Sequence, residues 1–227
     1  MRFVDDSGST LPGPVLRAIP VPQEQSAAPD RALMEAHLAR SRYGSFTLTE
    51  AVRPGWQLDV VPQAGYRHDA YIDPRTGSRM PAVIAAISSE DLFATFLDLL
   101  EPLGDSCDVV LESSHDSTTD RRELTREGVE RLVLESVLWE YEDLLLNDGC
   151  TSIAVMHPHL SLEVQFDEHK LLVVYAQSRL PFERVLKGRG IERNDRIRFI
   201  SQGEHLHTSH ARHALQFEDL AGRLGAC

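Results

Sequence analysis

The succession of apolar patterns after Ser88 constrains the fold of this chain more than any other feature. Apolar residues recur at helical spacing from there to Gly104, and Ser88 with Asp91 matches the spacing of a capping box. A short apolar stretch at 108–113 is typical of a buried strand, and a second helical pattern runs over 120–148. The sequence therefore predicts a helix, a strand and a long helix in succession.

The rest of the chain alternates short strands with helices. The pattern predicts strands at 151–156, 161–166, 171–176 and 196–201, and helices at 181–188 and 208–224. From residue 108 onward the order is β-α-β-β-β-α-β-α. That order predicts an α+β fold: a mixed five-stranded sheet, a variant of the ferredoxin-like order, with helices mainly on one face.

The residues before this pattern fall into two segments. Five prolines lie between residues 5 and 30, so we expect 1–29 to be a proline-rich arm that is extended or disordered. Residues 30–88 predict an N-terminal layer of one helix and a β-hairpin. Its expected elements are a helix at 30–41 and strands at 45–52, 56–61 and 83–87. Residues 89–227 then form the main α+β domain.

The N-terminal residues, the lack of long apolar runs and the cysteines bear on the cellular compartment. The first six residues, Met1 to Asp6, turn acidic where the apolar core of a signal peptide would begin. No apolar run approaches the roughly 20 residues that cross a bilayer. The three cysteines form no close pair, which favours reduced thiols over a disulfide framework. The sequence therefore predicts a cytoplasmic protein without a membrane partner.

The net charge of −12 is concentrated in one third of the chain. Residues 81–150 carry 17 acidic and 4 basic side chains. Such a surface repels phosphate backbones, so we expect no nucleic-acid partner, and a protein partner or self-association through the acidic face instead. A basic stretch over 179–198 either is solvated and paired internally or belongs to an anion-binding regulator that uses Arg184, Arg189, Arg193 and Arg196.

Predicted strand directions bring several polar residues to one edge of the sheet. The crossover helix over 120–148 should make the strands 108–113 and 151–156 parallel, and four of the five strands should then end at the same edge. The residues that follow these strands are His115 and Asp116, His157 and His159, and Glu204, His205 and His207. We expect a ligand-binding edge there.

The histidines at that edge suggest a metal. Four of the ten histidines stand within residues 205–213. Zinc takes three or four nitrogen, oxygen or sulfur ligands in a tetrahedral array, so the predicted metal ligands are His157, His159, His205 and His207. His115, Asp116 and Glu204 are further ligand-edge residues. In the alternative interpretation, His207, His210 and His213 are spaced by three and line the outer face of the last helix.

Other polar clusters are assigned structural roles. His115 with neighbouring serines and Asp116 contains the residue types of a nucleophilic triad, but triad members normally come from different elements. Cys107 and Cys150 are expected to be small buried residues at the edge opposite the histidines. The four residues 167–170 fit a hairpin turn. Gly149 fits the position that follows a helix C-terminus.

Two hypotheses about function follow. The first is a non-catalytic intracellular protein-interaction or regulatory module, which needs no cofactor and has no catalytic residues. The alternative is a metal-dependent, zinc-type hydrolase with histidines at the C-terminal strand ends, in which zinc would activate a water molecule. The sequence leaves open whether the protein is an enzyme.

Overall fold

The computed structural model of this chain describes residues 30–115 and 121–227. The predicted arm at 1–29 and the predicted site residue Asp116 lie outside the described residues. In chain order the strands are β1 Arg42–Tyr43, β2 Phe46–Thr47, β3 Val52–Pro54, β4 Gly65–Ile72, β5 Arg79–Ala86, β6 Ser106–Ser113, β7 Arg122–Glu130, β8 Thr151–Met156, β9 Leu162–Phe166, β10 Leu171–Ala176 and β11 His205–His207. The helices are α1 Arg31–Leu38, α2 Ser89–Leu100, α3 Arg131–Glu140, α4 Glu142–Asn147, α5 Leu180–Gly188 and α6 Ala211–Leu224.

A large antiparallel sheet organises the fold. Its seven strands lie in the order β4-β5-β10-β9-β8-β6-β7, and each neighbouring pair is antiparallel. The α+β class predicted from sequence is confirmed. The mixed five-stranded sheet and its ferredoxin-like order are not confirmed. Strands β4 and β5, which fall in the predicted N-terminal layer 30–88, pair into this same sheet.

The segment 120–148 accounts for the difference in strand direction. Where a single long helix was predicted, the chain forms β7 as a hairpin partner of β6 and only then the helices α3 and α4. The extra strand reverses the chain once more, so β8 returns antiparallel to β6, with Val109 opposite Val155. The predicted parallel pairing was therefore wrong. Strand β7 is an edge strand that turns mostly charged side chains to solvent, which protects a sheet edge against further pairing.

The main core lies between one face of the sheet and the helices α2 to α6. Alternate residues of the central strands face these helices because side chains of a strand alternate between its two faces. They include Val109, Leu111, Ile153, Val155, Val164, Phe166, Leu172 and Val174, all buried. Among the described residues, no helix is both long and apolar enough to cross a bilayer.

A smaller apolar cluster covers one end of the opposite sheet face. It is formed by Phe46, Ala86, Leu171, Ile197 and Phe199. The segment 196–201, predicted as a strand, instead forms an irregular cover that ends in the 3-10 turn Ile200–Gln202. The strand that was not predicted there, β11, follows directly and pairs with β3 outside the main sheet.

Candidate metal centre

Strand β11 presents two histidines on the same side. It pairs antiparallel with β3, so that His205 lies opposite Pro54 and His207 opposite Val52. Residues two apart in a strand point to the same face, so the two imidazoles are neighbours. Their ring centroids are 5.1 Å apart.

A third histidine comes from the hairpin turn between β9 and β10. The ring centroid of His169 lies 4.9 Å from that of His205 and 4.9 Å from that of His207. One nitrogen from each of the three rings lies within 4.8 Å of the others. This spacing suits three ligands around one metal ion, because zinc–nitrogen bonds are about 2.0 to 2.1 Å long. We call these residues the three-histidine cluster.

Hydrogen bonds orient all three rings in the same way. The Nδ1 atom of His207 lies 2.7 Å from the carbonyl oxygen of Gly149, and the Nδ1 atom of His205 lies 2.8 Å from the carbonyl oxygen of Gly203. In His169, Nδ1 lies 3.2 Å from a carboxylate oxygen of Asp167. These oxygens only accept, so each Nδ1 carries the hydrogen and each Nε2 keeps a free lone pair. Metal-binding histidines characteristically show this arrangement, because the outer oxygen fixes the tautomer and the ring orientation.

Burial keeps part of the cluster neutral. It lowers the pKa of His207 below its usual value, and the neighbouring His169 and His205 rings act in the same direction. A neutral imidazole is the form that binds a metal. His207 is therefore prepared for ligation at neutral pH.

Gly149 allows the chain segments of the site to approach closely. Its N–H donates to the carbonyl oxygen of Thr208 at 2.8 Å, and its own carbonyl accepts from His207. A Cβ atom at this position would lie 2.6 Å from the carbonyl oxygen of Ala51, closer than any real contact. Gly149 follows Asp148, the C-cap residue of α4, as the sequence predicts, and it is also required for this close approach.

A buried lysine supports the turn that carries His169. Lys170 adopts a left-handed backbone conformation with φ of 62°. Its Nζ donates to the carbonyl oxygen of Thr151 at 3.1 Å, which joins the turn to the start of β8. Burial lowers the pKa of Lys170 to about 8. The lysine stabilises the turn, although removing its ammonium group from water costs free energy.

A polar groove on the open face of the sheet reaches the three-histidine cluster. Its walls are Glu112, Arg121, Ser152, Ile153, Ala154, Gln165, Asp167, Glu168 and His169. Ser152 donates to a carboxylate oxygen of Glu112 at 2.6 Å, and Arg121 bridges Glu112 and Glu168. The groove thus joins charged and hydrogen-bonding side chains to His169.

The structure brings together only part of the metal set predicted from sequence. His205 and His207 lie in the three-histidine cluster, whereas His157 and His159 follow the far end of β8, roughly 17 Å of strand away from Thr151. There His157 Nδ1 accepts the backbone N–H groups of His159 and Leu160, which stabilises a turn.

Of the other two described ligand-edge residues, Glu204 and His115, only His115 lies in a cluster of possible metal ligands. Glu204 is exposed, and its carbonyl oxygen accepts from the backbone of Gly55. His115 does reach an acidic residue, but that residue is Asp148, with 2.9 Å between His115 Nε2 and the carboxylate. Cys150 lies beside both. Because β8 runs antiparallel to β6, its start lies next to the end of β6, so the prediction that separated Cys150 from the histidines was wrong.

The helical interpretation of the C-terminal histidines fails for a related reason. Helix α6 begins only at Ala211, so His207 belongs to β11 and His210 precedes the helix. His213 is inside α6 but fully buried. The three histidines therefore do not line one outer face.

Part of the basic stretch 179–198 is paired within the chain. Arg189 bonds Asp98 at 2.6 Å, and Arg193 bonds Asp195 at 2.8 Å. For Arg189 and Arg193, two of the four arginines named above, the structure agrees with internal pairing and not with a free anion-binding side chain.

Sequence reasoning missed His169 and Asp148. The sequence predicts a polar hairpin connection at 167–170, and the structure confirms it. The same turn also places His169 beside His205 and His207. The spacing of β8, β9 and β10 contains the needed signal: the β8–β9 hairpin reverses the chain once, so the 167–170 turn lies at the edge where β8 begins. The sequence already predicts the 167–170 turn and Cys150 at one edge. It assigns His115, His205 and His207 to the opposite edge, because it predicts β6 parallel to β8 and a sheet strand at 196–201.

Comparison of the chain with protein-family models, with curated proteins and with solved structures finds no match. The function of this chain is therefore inferred from its own geometry.

Proposed function

We propose that this protein is a metal-dependent hydrolase whose zinc-type ion is held by His169, His205 and His207. The observation that carries the proposal is the shared orientation of the three rings. Each Nδ1 is bonded to an oxygen, and one nitrogen of each ring lies within 4.8 Å of the others. Three protein ligands leave a fourth tetrahedral position for water or substrate, as in catalytic zinc sites.

The chemistry needs an activated water and a group that takes its proton. A zinc ion held by His169, His205 and His207 would lower the pKa of a bound water towards neutrality and supply a nucleophile. Glu168 is the proposed general base. It precedes His169 in the turn, lines the groove, and its negative charge opposes the lowering of the His207 pKa. The ion pair with Arg121 holds its side chain in the groove.

The groove defines where substrate would bind. It runs from His169 over the open sheet face between Glu112 and Gln165. Arg121 lines it with a half-exposed guanidinium group, which suits an anionic or carbonyl oxygen of a substrate. We therefore propose a small polar substrate with a hydrolysable ester, amide or phosphate bond.

Metal content tests the first part of this proposal. Purified untagged protein, stripped with a chelator and re-equilibrated with zinc, should retain metal after desalting. The His205→Ala/His207→Ala variant should lose about one zinc per chain. His159→Ala and His210→Ala are matched controls outside the cluster and should retain the full amount. Equal zinc content in the double variant and the wild type would overturn the proposal.

Glu168→Gln tests the catalytic part. Chromogenic ester, amide and phosphate substrates should be hydrolysed by the zinc-loaded protein and not by the stripped protein. The variant should keep its zinc and lower kcat about 10²- to 10⁴-fold, the usual contribution of a general base. The control Glu123→Gln changes an exposed carboxylate of β7 and should have wild-type kcat. Unchanged kcat in Glu168→Gln would remove this residue from the mechanism.

A second candidate is the interaction module predicted from sequence. One feature favours it: α3 leaves Leu132, Val133 and Trp139 exposed at 61, 52 and 54%. Exposed apolar side chains of this size on one helix fit a protein partner or a second copy of the chain. A Leu132→Glu/Val133→Glu variant should abolish any self-association seen by analytical ultracentrifugation. A wild type that stays monomeric at all concentrations contradicts self-association.

A further inference from the structure

A second group of metal-ligating side chains lies where β6 ends and β8 begins. One ligand atom each of His115, Asp148 and Cys150 lies within 4.8 Å of the others. Asp148 is fully buried, and the side chain of His115 is 10% exposed. The three residues come from the end of β6, from the residue after α4 and from the residue before β8. The fold thus brings together two segments, the residues after β6 and the connection 148–150 between α4 and β8.

Two buried polar atoms in this group lack a hydrogen-bond partner among the described residues. Thr151 Oγ1 donates to Asp148 Oδ2 at 2.5 Å, but Asp148 Oδ1 is unpartnered. His115 Nε2 is also unpartnered, since its 2.9 Å contact with Asp148 Oδ2 lacks hydrogen-bond geometry. Leaving a buried carboxylate oxygen and a buried imidazole nitrogen unpaired is costly. A cation bound by His115 Nε2 and the nearby Asp148 Oδ2 would give the imidazole nitrogen a partner and neutralise the buried carboxylate.

The outer contacts of this group match those of a metal site. Ser113 Oγ lies 2.7 Å from His115 Nδ1, where a hydroxyl can either donate or accept. A metal at Nε2 requires the tautomer in which Nδ1 carries the hydrogen and donates it to Ser113 Oγ. This is the same use of the two ring nitrogens as in the three-histidine cluster. The carboxylate is in turn oriented by the Thr151 hydroxyl.

His213 completes the surroundings without being a ligand. Its Nε2 accepts from Arg212 at 3.3 Å, so the hydrogen of the neutral ring is on Nδ1. That nitrogen faces Asp148 Oδ1 at 3.5 Å. Burial lowers the pKa of His213 and favours the neutral ring. His213 is thus a positioning residue for the carboxylate.

We infer that His115, Asp148 and Cys150 form a second, separate zinc site. A ligand set of imidazole nitrogen, carboxylate oxygen and thiolate sulfur suits zinc, which accepts all three. Zinc would be held by the Cys150 thiolate, the Asp148 carboxylate and His115 Nε2, and the thiol proton of Cys150 would be released to solvent on binding. Gly149 lies between two of these ligands and accepts from His207. The second metal therefore fixes the backbone that orients a ligand of the first.

Cobalt substitution tests this site separately from the proposed hydrolase centre. Only the second site offers a thiolate, so stripped protein reloaded with Co²⁺ should show a sulfur-to-cobalt charge-transfer band in the near ultraviolet. The band should persist in His205→Ala/His207→Ala and disappear in Cys150→Ser. Cys227→Ser, which changes the exposed C-terminal cysteine, is the matched control and should keep the band.

Alkylation gives a second readout on the unaltered chain. Zinc should slow the reaction of Cys150 with iodoacetamide about tenfold or more, because a metal-bound thiolate is withdrawn from reaction, and leave Cys227 unaffected. A wild-type cobalt spectrum without the sulfur band, or a band unchanged in Cys150→Ser, overturns the second site. If hydrolysis or the metal ion of the three-histidine cluster is lost, the sulfur-to-cobalt band should remain. The experiment therefore distinguishes failure of the second site from failure of the proposed hydrolase centre.

Discussion

His207 donates a hydrogen bond from Nδ1 to the carbonyl oxygen of Gly149 at 2.7 Å, across 58 positions of sequence. The bond joins β11, which lies outside the main sheet, to the segment that begins the central strand β8. It also joins the two candidate metal sites, because Gly149 stands between Asp148 and Cys150. Backbone geometry at a single glycine thus affects both sites.

Replacing Gly149 with alanine should disrupt this junction. The added Cβ would meet the carbonyl oxygens of Ala51 at 2.6 Å and Thr208 at 2.9 Å, both backbone atoms that cannot rotate away. We expect a loss of about 2 to 3 kcal/mol in the free energy of unfolding, typical of overpacking, and weaker zinc binding. Chemical denaturation and zinc titration measure the two effects.

Gly188→Ala is the matched control for that substitution. Gly188 lies in α5, and a Cβ there would meet nothing within 4 Å. Since alanine favours helix over glycine, this variant should be as stable as the wild type or slightly more so. Equal stability of Gly149→Ala and Gly188→Ala would show that the close approach at Gly149 is not required.

Elements with a clear local pattern were predictable from sequence, whereas their pairing was not. Helix α2 and strands β8 to β10 carry continuous apolar stripes and lie where the sequence placed them. In β7, Val129 stands three and four residues before Leu132 and Val133, a spacing that is typical of a helix, and most other β7 residues are charged. An edge strand buries few side chains, so it lacks the alternation of apolar and polar residues by which a strand is predicted. That one misassigned segment reversed the direction of β8 relative to β6.

The two candidate metal sites were only partly predictable from sequence, again because strand pairing was not. His205 and His207 stand close in sequence, so their proximity needed no knowledge of strand directions. His169 reaches them only through the β9–β10 turn, and Asp148 reaches His115 only through the antiparallel β6–β8 pair. Contacts of this kind depend on topology, which local patterns do not determine.

Asp167→Asn should weaken zinc binding at the three-histidine cluster about 10- to 100-fold. Asp167 Oδ1 accepts the Leu171 N–H at 2.8 Å, a bond that asparagine can keep. Its other oxygen accepts from His169 Nδ1, and an amide there donates instead, which shifts the histidine hydrogen to Nε2 and blocks ligation. Asp73→Asn, at another hairpin turn, is the control. Equal zinc affinities in a competition titration would contradict the proposed role of Asp167.

Zinc affinity of the three-histidine cluster should fall on acidification. Protons compete with the metal for neutral imidazole, and the lowered pKa of His207 delays its protonation to below about 6.5. Between about pH 7.5 and 5.5 we expect the apparent Kd to rise at least tenfold. The measurement uses Cys150→Ser, so that protonation of the thiolate does not contribute. A Kd independent of pH would exclude histidine ligands.

Lys170→Met should remove a pH-dependent contribution to stability. The lysine pKa is about 8 when folded against 10.5 for the free group, so between these values the unfolded chain holds the extra proton and stability rises with pH. Relative to Lys170→Met, wild-type stability should therefore increase by on the order of 3 kcal/mol from about pH 8 to about pH 10.5. Denaturation of metal-free protein measures it. Lys187→Met, an exposed control, should show no such trend, and a flat difference for Lys170 would mean that its ammonium group is solvated.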